Sequence, residues 1–175
     1  MTLRGERCAL RRWRTSDAAS LIRHANNLNV AKHLRDRFPH PYTWKDAQTF
    51  LTAASSEEPQ TNFAIEVAGV AVGGLGYVPG TDVERFSAEV GYWLGEACWG
   101  RGIMTEALVL FTRHAFAELG HLRLFALPLA DNIASIRVLE KAGYSAEGIL
   151  CSSCVKFGQP RNQAIYARVN DRWTG

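Results

Sequence analysis

Hydrophobic positions along this chain switch repeatedly between the two-residue period of a strand and the 3.6-residue period of a helix. Residues 3–14 alternate as a strand. Thr15 then stands as an N-cap, with Asp17 in the first turn of a helix whose apolar side is Ala18, Leu21, Ile22 and Ala25. A short second helix is predicted from Val30 to Leu34, ended by Pro39 and Pro41. Thr43 caps a third, with Asp46 completing an imperfect capping box and Ala47, Phe50, Leu51 and Ala54 forming its apolar face. Beyond the polar run Ser55–Thr61, the segments NFAIEV, VAVGGLGYV and FSAEVGYWL read as strands joined by turns at Ala68-Gly69 and around Pro79-Gly80.

The second half opens with a long helix from about Arg101 to Leu119. Its inner face is Ile103, Ala107, Leu110, Phe111 and Ala115, and Gly120 is its stop. LRLFALPL is a near-continuous apolar run, the kind of strand buried on both faces. Asn132 caps a helix to Ala142 that Gly143 closes, and a final pair of strands, about 145–156 and 163–169, flanks the turn GQPR. The order β-α-α-α-βββ-α-β-α-ββ predicts an α/β (α+β) fold, with a mixed, mostly antiparallel sheet of about seven strands flanked by helices. Without a repeat, linker or low-complexity stretch, residues 1–175 are expected to form a single domain.

Composition narrows the function classes only a little. Hydrophobic residues make up 47% and charged residues 21%, ordinary for a globular chain. A net charge of +3 is too small to argue for nucleic acid, and Arg4, Arg11, Arg12 and Arg14 are interleaved with apolar residues as on a half-solvated strand. No apolar run approaches the roughly 20 residues that cross a bilayer, and MTLRGERCAL lacks a signal-peptide core. A cytoplasmic protein with reduced cysteines and no membrane partner is expected. Cys151 and Cys154 form a CxxC, but without a second Cys/His pair at zinc spacing, and they lie in an expected strand, where i and i+3 face opposite sides. Inert thiols and no metal are the expectation.

Candidate chemistry centres on Ser87 to Leu110, SAEVGYWLGEACWGRGIMTEALVL, which runs from strand through a glycine-bearing loop into a helix. A helix N-terminus presents backbone N–H groups without intrahelical partners and favours an anion. Gly100 and Gly102 allow close approach and Arg101 adds charge, so the loop suits a phosphate. It is neither a Walker loop nor a dinucleotide fingerprint. GGLG, with Gly73, Gly74 and Gly76, reads as strand or bulge positions. A second strand–helix junction, ADNIASIRVLEKAGY, places Asn132 and Ser135 at another strand end, where ligands of α/β folds gather.

These residues carry a resemblance. AEVGYWL, WGRGIMTEAL, N-x-x-S-x-R-V-L-E-K-A-G-Y, LRRWRTSDAASL and FPHPYTWKDAQTFL resemble, in order and spacing, the GNAT N-acyltransferase superfamily. The branch is that of the ribosomal-protein N-terminal (alanine/serine) acetyltransferases, and nearly the whole chain is covered. The resemblance implies transfer of an acetyl group from acetyl-CoA to a primary amine, on a protein N-terminus or a small molecule. It implies that the backbone of Trp99, Gly100, Arg101, Gly102, Ile103, Met104 and Thr105 wraps the coenzyme A pyrophosphate. The strand end at Trp93 and Leu94 would pair with the pantetheine arm, Asn132 would hydrogen-bond the cofactor, and Ser135 would sit near the thioester sulfur. Met104 fills a place more often held by Gly or Ala, and Trp99 one more often held by Gln or Arg.

The chemistry needs a base for the amine and a donor for the departing thiolate. Many superfamily members use a tyrosine in the last helix as that donor, but the aligned position here is Leu139, leaving Ser135 as the candidate acid. Its alternative is a small residue that packs the helix. Glu89, the only carboxylate on the strand entering the loop, is the candidate base; Glu66 is a second choice, and Glu106 is explained by the helix dipole. His40 and Tyr42, on an irregular segment, are expected to line the acceptor site or to pack a turn. The remaining histidines read as structural or exposed. The missing tyrosine also admits a non-catalytic acyl-CoA-binding sensor or assembly module, and the aromatic final hairpin is compatible with a homodimer.

Overall fold

The computed structural model describes residues 1–174 of the chain. Eight strands form a sheet in the order β1-β2-β3-β4-β5-β6-β8-β7, in which β5 and β6 run parallel and the β1–β2, β2–β3, β3–β4, β6–β8 and β7–β8 pairs are antiparallel. The strands are β1 (Thr2–Arg4), β2 (Ala9–Arg11), β3 (Asn62–Val67), β4 (Val70–Pro79), β5 (Ser87–Leu94), β6 (Arg123–Ala126), β7 (Ser145–Lys156) and β8 (Gln159–Val169). The helices are α1 (Ala18–Ala25), α2 (Leu28–Ala31), α3 (Trp44–Ser56), α4 (Ile103–Ala117) and α5 (Ile133–Lys141). Among the described residues no helix is long and apolar enough to cross a membrane. The chain divides into two compact units, Met1–Gly76 with Tyr92–Leu110, and Tyr77–Gly91 with Phe111 to the C-terminus.

In the first unit, α1 and α3 bury Ala18, Leu21, Ala25, Ala47, Leu51 and Ala54 around Trp13, whose ring meets Phe50 edge-on at 5.4 Å. These are the faces the helical spacing predicts. The eighth strand comes from the N-terminus, where the expected single strand over residues 3–14 is a hairpin. The turn is closed by Gly5 N–H donating to the Cys8 carbonyl at 2.9 Å, and by the Glu106 carboxylate, which accepts from the N–H groups of Glu6, Arg7 and Cys8 at 3.0, 2.7 and 2.9 Å. A turn completed by a residue about a hundred positions away leaves no local signal.

Thr15 is not the cap expected. Residues Thr15–Asp17 form a 3-10 turn before α1, and Asp17 is turned onto the buried Arg11 guanidinium at 2.7 and 2.9 Å. Arg11, only 3% exposed, also donates through Nε to Glu66. Its pKa is raised, chiefly by the hydrogen bond to Asp17, against the opposing effect of burial. Helix α2 starts two residues earlier than expected because the Asn27 side chain caps it, accepting from Asn29 N at 2.8 Å. The capping box of α3 is complete: Thr43 Oγ1 accepts from Asp46 N at 3.3 Å and Asp46 accepts from Thr43 N at 2.8 Å. The Ala68-Gly69 turn has both residues at positive φ, 48° and 82°, as a tight two-residue hairpin requires.

In the second unit the expected stop at Gly120 holds, with φ of 70°, and Gly143 closes α5 with φ of 83°. Strand β6 alternates half-buried and buried positions, shorter and less enclosed than the apolar run implies, because the chain leaves the ladder before Pro128. The last turn is Phe157-Gly158, at φ 52° and 73°, so β8 begins at Gln159 and not at 163. Pro160 is accommodated opposite Val155, and of GQPR all but Gly158 is strand. Tyr77 packs on Phe111 at 5.2 Å, and Thr112 and Tyr144 share a buried hydroxyl–hydroxyl bond of 2.9 Å.

Removing one member of a buried charge cluster strands the others, at a cost of about 3–5 kcal/mol. Arg11→Met is expected to lower unfolding free energy by about that much. Arg12→Met, which loses a more exposed pair with Glu58, is expected to cost less than about 1 kcal/mol. Denaturant titration of both variants checks the ordering.

Candidate functional site

The glycine loop belongs to the first unit. Strand β5 ends on half-buried Trp93 and buried Leu94, and Gly95 N–H still pairs with the Val72 carbonyl at 2.8 Å. One 3-10 turn, Glu96–Cys98, follows. The Trp99 indole then folds back to donate to the Leu94 carbonyl at 2.7 Å, while the residue stays 44% exposed. Gly100 and Gly102 take φ of 72° and 74°, a region that L side chains enter at a cost of about 1–2 kcal/mol. The space where a Gly100 Cβ would stand is open, and Arg101 between the glycines is exposed. Buried Ile103 and Met104 anchor the start of α4, and Thr105 is half-buried. The bond from Glu106 N to Gly102 O, 3.1 Å, begins the helical ladder, so the N–H groups of Ile103, Met104 and Thr105 precede any intrahelical partner. A helix N-terminus preceded by two exposed glycines and Arg101 is positively polarised, which favours an anion such as a phosphate.

Sequence reasoning missed Arg7. Its Nε lies 3.5 Å from the position a Cβ on Gly102 would take, and its Nη1 stands 3.8 Å from Glu106 Oε1. The N-terminal turn thus brings a second cation beside the loop, placed there by the three N–H groups that Glu106 accepts. Burial tends to raise the Glu106 pKa, but the hydrogen bonds from Arg7, Glu6 and Cys8 outweigh it and hold the carboxylate below its usual range. Glu106 is therefore engaged more deeply than a dipole partner, and Glu66 is engaged by Arg11.

The glycines of GGLG make room for Trp93. A Cβ on Gly73 would stand 2.4 Å from the Trp93 carbonyl, and one on Gly74 would stand 2.8 Å from its indole Nε1. The Trp93 ring packs on Phe38 at 5.3 Å, so its side chain is part of the unit's core. At Leu94 the carbonyl is already taken by Trp99. His40 is exposed, whereas Tyr42 is 6% exposed, packs on Phe38 at 5.1 Å, and has its hydroxyl pKa pushed to about 12, mainly by burial. The two expected acceptor residues therefore point to different environments, and Tyr42 fits the packed-turn alternative. A cleft of about 410 Å³ that the sequence did not flag is lined by Arg23, His24, Asn27, Glu96 and Ala97. Glu96 there accepts from Asn27 Nδ2 at 2.6 Å and Asn29 Nδ2 at 3.0 Å.

In the second unit, Asn132 caps α5 through Oδ1, accepting from Ser135 N at 3.2 Å, which puts both residues on one helical turn. Both are half-buried. Leu139, one turn further on, is fully buried as core. Glu89 is half-buried on β5, in register with Phe125 of β6. Tyr144, just beyond α5, is locked against Thr112, and its pKa is pushed to about 12 by burial.

Comparison with known proteins gives these features a setting. The chain is 49% identical over 63 residues to "Probable N-acetyltransferase YjcK" of Bacillus subtilis (strain 168), a stretch that is 36% of this chain and 35% of that protein. It is 36% identical over 91 residues to the ribosomal-protein-serine acetyltransferase of Escherichia coli (strain K12), covering 49% and 48% of the two. The matched stretches thus span half or less of these curated relatives. A solved structure of RimL, a ribosomal alpha-N-protein acetyltransferase in complex with coenzyme A, superposes with a TM-score of 0.86 at 19% identity, over 98% of this chain and 99% of that one. The family profile of the acetyltransferase (GNAT) domain matches residues 7–145, from the N-terminal turn through the glycine loop and α5 to the start of β7. The chain belongs to the GNAT acetyltransferase family, whose members move an acetyl group from acetyl-CoA to an amine.

Proposed function

We propose that the chain acts as a single acetyltransferase domain that moves the acetyl group of acetyl-CoA onto a primary amine by direct attack. The acceptor is a protein N-terminus or a small-molecule amine; what the E. coli relative is named for favours the first. The observation that carries the reading is the loop Trp99–Thr105, with two left-handed glycines, a free-standing helix N-terminus, and Arg101 and Arg7 beside it. In this reading the loop's N–H groups and both cations hold the pyrophosphate, and Asn132 donates its amide N–H to the cofactor.

Positioning supplies much of the acceleration, because the amine and the thioester carbonyl are brought together as one encounter. The neutral amine attacks the carbonyl carbon, the N–C bond forms, and the tetrahedral adduct expels coenzyme A thiolate as the C–S bond breaks. Glu89 accepts a proton from the amine, directly or through water, and Ser135 donates to the departing sulfur. A second reading, an acyl-CoA sensor without turnover, is motivated by Leu139, which occupies the family's frequent tyrosine position as a fully buried core residue.

Gly102→Ala is expected to weaken coenzyme A binding about 10-fold in calorimetry, the strain of one left-handed L residue. Gly69→Ala carries the same strain in the β3–β4 turn, with nothing near its Cβ position, and is expected to leave that affinity unchanged. Equal effects from both would remove the loop from the binding site. Ser135→Ala is expected to lower kcat about 100-fold or more at unchanged coenzyme A affinity, the usual scale of a general acid. An unchanged kcat reduces Ser135 to packing. Glu89→Gln is expected to lower kcat about 100-fold or more at unchanged coenzyme A affinity, the usual scale of a general base. No turnover by the wild type with any amine or N-terminal peptide, despite acetyl-CoA binding, leaves the sensor reading.

A further inference from the structure

Strand β7 is not continuous. Leu150 pairs with Gln163 and Cys154 with Arg161, so four steps along β7 are matched by two along β8. The stretch Cys151-Ser152-Ser153 is looped out as a bulge opposite the single residue Asn162. Ser152 sits at φ 49°, a left-handed kink, and its N–H donates to Asn162 Oδ1 at 2.8 Å. Ser153 Oγ shares its single proton between the Leu150 carbonyl at 3.2 Å and Gln163 Oε1 at 3.0 Å. The bulge is held by its own hydrogen bonds.

That geometry overturns the sequence argument that separated the two cysteines. In an unbroken strand residues i and i+3 are about 10 Å apart at the Cα atoms and face opposite sides. Here positions 150 and 154 are separated by only the length of two partner residues, about 7 Å. Cys151 and Cys154, one inside that pinched loop and one at its end, are thereby drawn closer than in an unbroken strand, towards the roughly 4.4–6.8 Å between Cα atoms that a disulfide spans. Both are free thiols; Cys151 is exposed and Cys154 half-buried, with its Sγ donating weakly to the Arg161 carbonyl at 3.7 Å. Cys8 and Cys98 are buried, and burial pushes the Cys8 thiol to about 12.

We propose that the CSSC bulge of β7 is a redox modification site, in which Cys151 and Cys154 close a reversible intra-bulge disulfide by exchange with a low-molecular-weight disulfide. The exposed Cys151 thiolate attacks one sulfur of that disulfide, forming a mixed disulfide and releasing one small thiolate. The Cys154 thiolate then attacks the Cys151 sulfur and expels the second small thiolate. Two protein thiols are oxidised, one external disulfide is reduced to two thiols, and the two protons pass to the leaving thiolates. The bulge touches the segment leading to α5: Asn162, which binds Ser152 N–H, accepts from Ala130 N at 2.9 Å through its own carbonyl, and Arg161 pairs with Asp131. Closing the disulfide therefore stiffens the strand against which the chain entering Asn132 is hung. The proposal stands independently of the acyl-transfer reading.

The test is oxidation of the folded full chain with oxidised glutathione, alkylation of remaining thiols, and peptide mapping with trypsin, which leaves both cysteines on the peptide 142–156. The expected product is that peptide lighter by two hydrogens, carrying neither alkyl group nor glutathione and restored by reductant, with Cys8 and Cys98 alkylated only after unfolding. In Cys154→Ser the glutathione adduct on Cys151 is expected to persist. A stable glutathione adduct on wild-type Cys151, or both cysteines alkylated as though never oxidised, overturns the proposal.

Discussion

The Glu106 carboxylate, taking three backbone N–H groups from Glu6, Arg7 and Cys8, is the interaction on which the candidate phosphate loop depends. Hydrogen bonds to a charged acceptor contribute about 1.5–3 kcal/mol each, so the set outweighs the entropy of ordering a short N-terminal turn. It works only because Gly5 lacks a side chain: a Cβ there would sit 2.7 Å from the Glu106 carboxyl carbon. The same bonds set Arg7 beside Gly102. One acidic side chain in the first turn of α4 thereby fixes the strand register of the N-terminal hairpin and the electrostatics of the loop just before it.

Much of this architecture is legible in the sequence because its causes are local. Thr43 and Asp46, Ala68-Gly69, Gly120, Asn132 and Gly143 each act within a few residues, and the structure uses each as the pattern implies. The glycines of WGRG are likewise local, since a left-handed backbone favours glycine whatever surrounds it. What the pattern misses is non-local. The N-terminal turn needs Glu106, Asp17 accepts from the distant Arg11 guanidinium as well as from the neighbouring Arg14 N–H, and Gly73 and Gly74 are small because Trp93 lies on them. Phe157 carries no local turn signal, because a bulky side chain at positive φ is an unfavourable local choice that β7–β8 pairing overrides.

Candidate site residues divide the same way. The loop backbone was readable from glycine spacing, and the Asn132–Ser135 cap from the start signal of α5. Arg7 was not, since an arginine in a turn carries no sign of what it faces. Tyr42 looked like a loop residue by its neighbours Pro41 and Thr43, yet it fills the gap beside Phe38 and belongs to the core. Glu66 and Glu89 are alike in sequence, each a lone acid on an apolar strand, and nothing local to Glu66 announces that it meets Arg11.

The bulge in β7 has a consequence for solubility. β7 closes one side of the sheet as its last strand, with Ile149, Leu150 and Val155 well exposed. A long flat apolar edge is a template on which further strands can grow. The two extra residues break that edge into a piece up to Leu150 and a piece from Cys154, kinked apart by the left-handed Ser152. Neither piece offers the run of aligned N–H and C=O groups that a stacking strand needs. The irregularity that draws two cysteines together is also of the kind that makes a sheet edge a poorer template for a further strand.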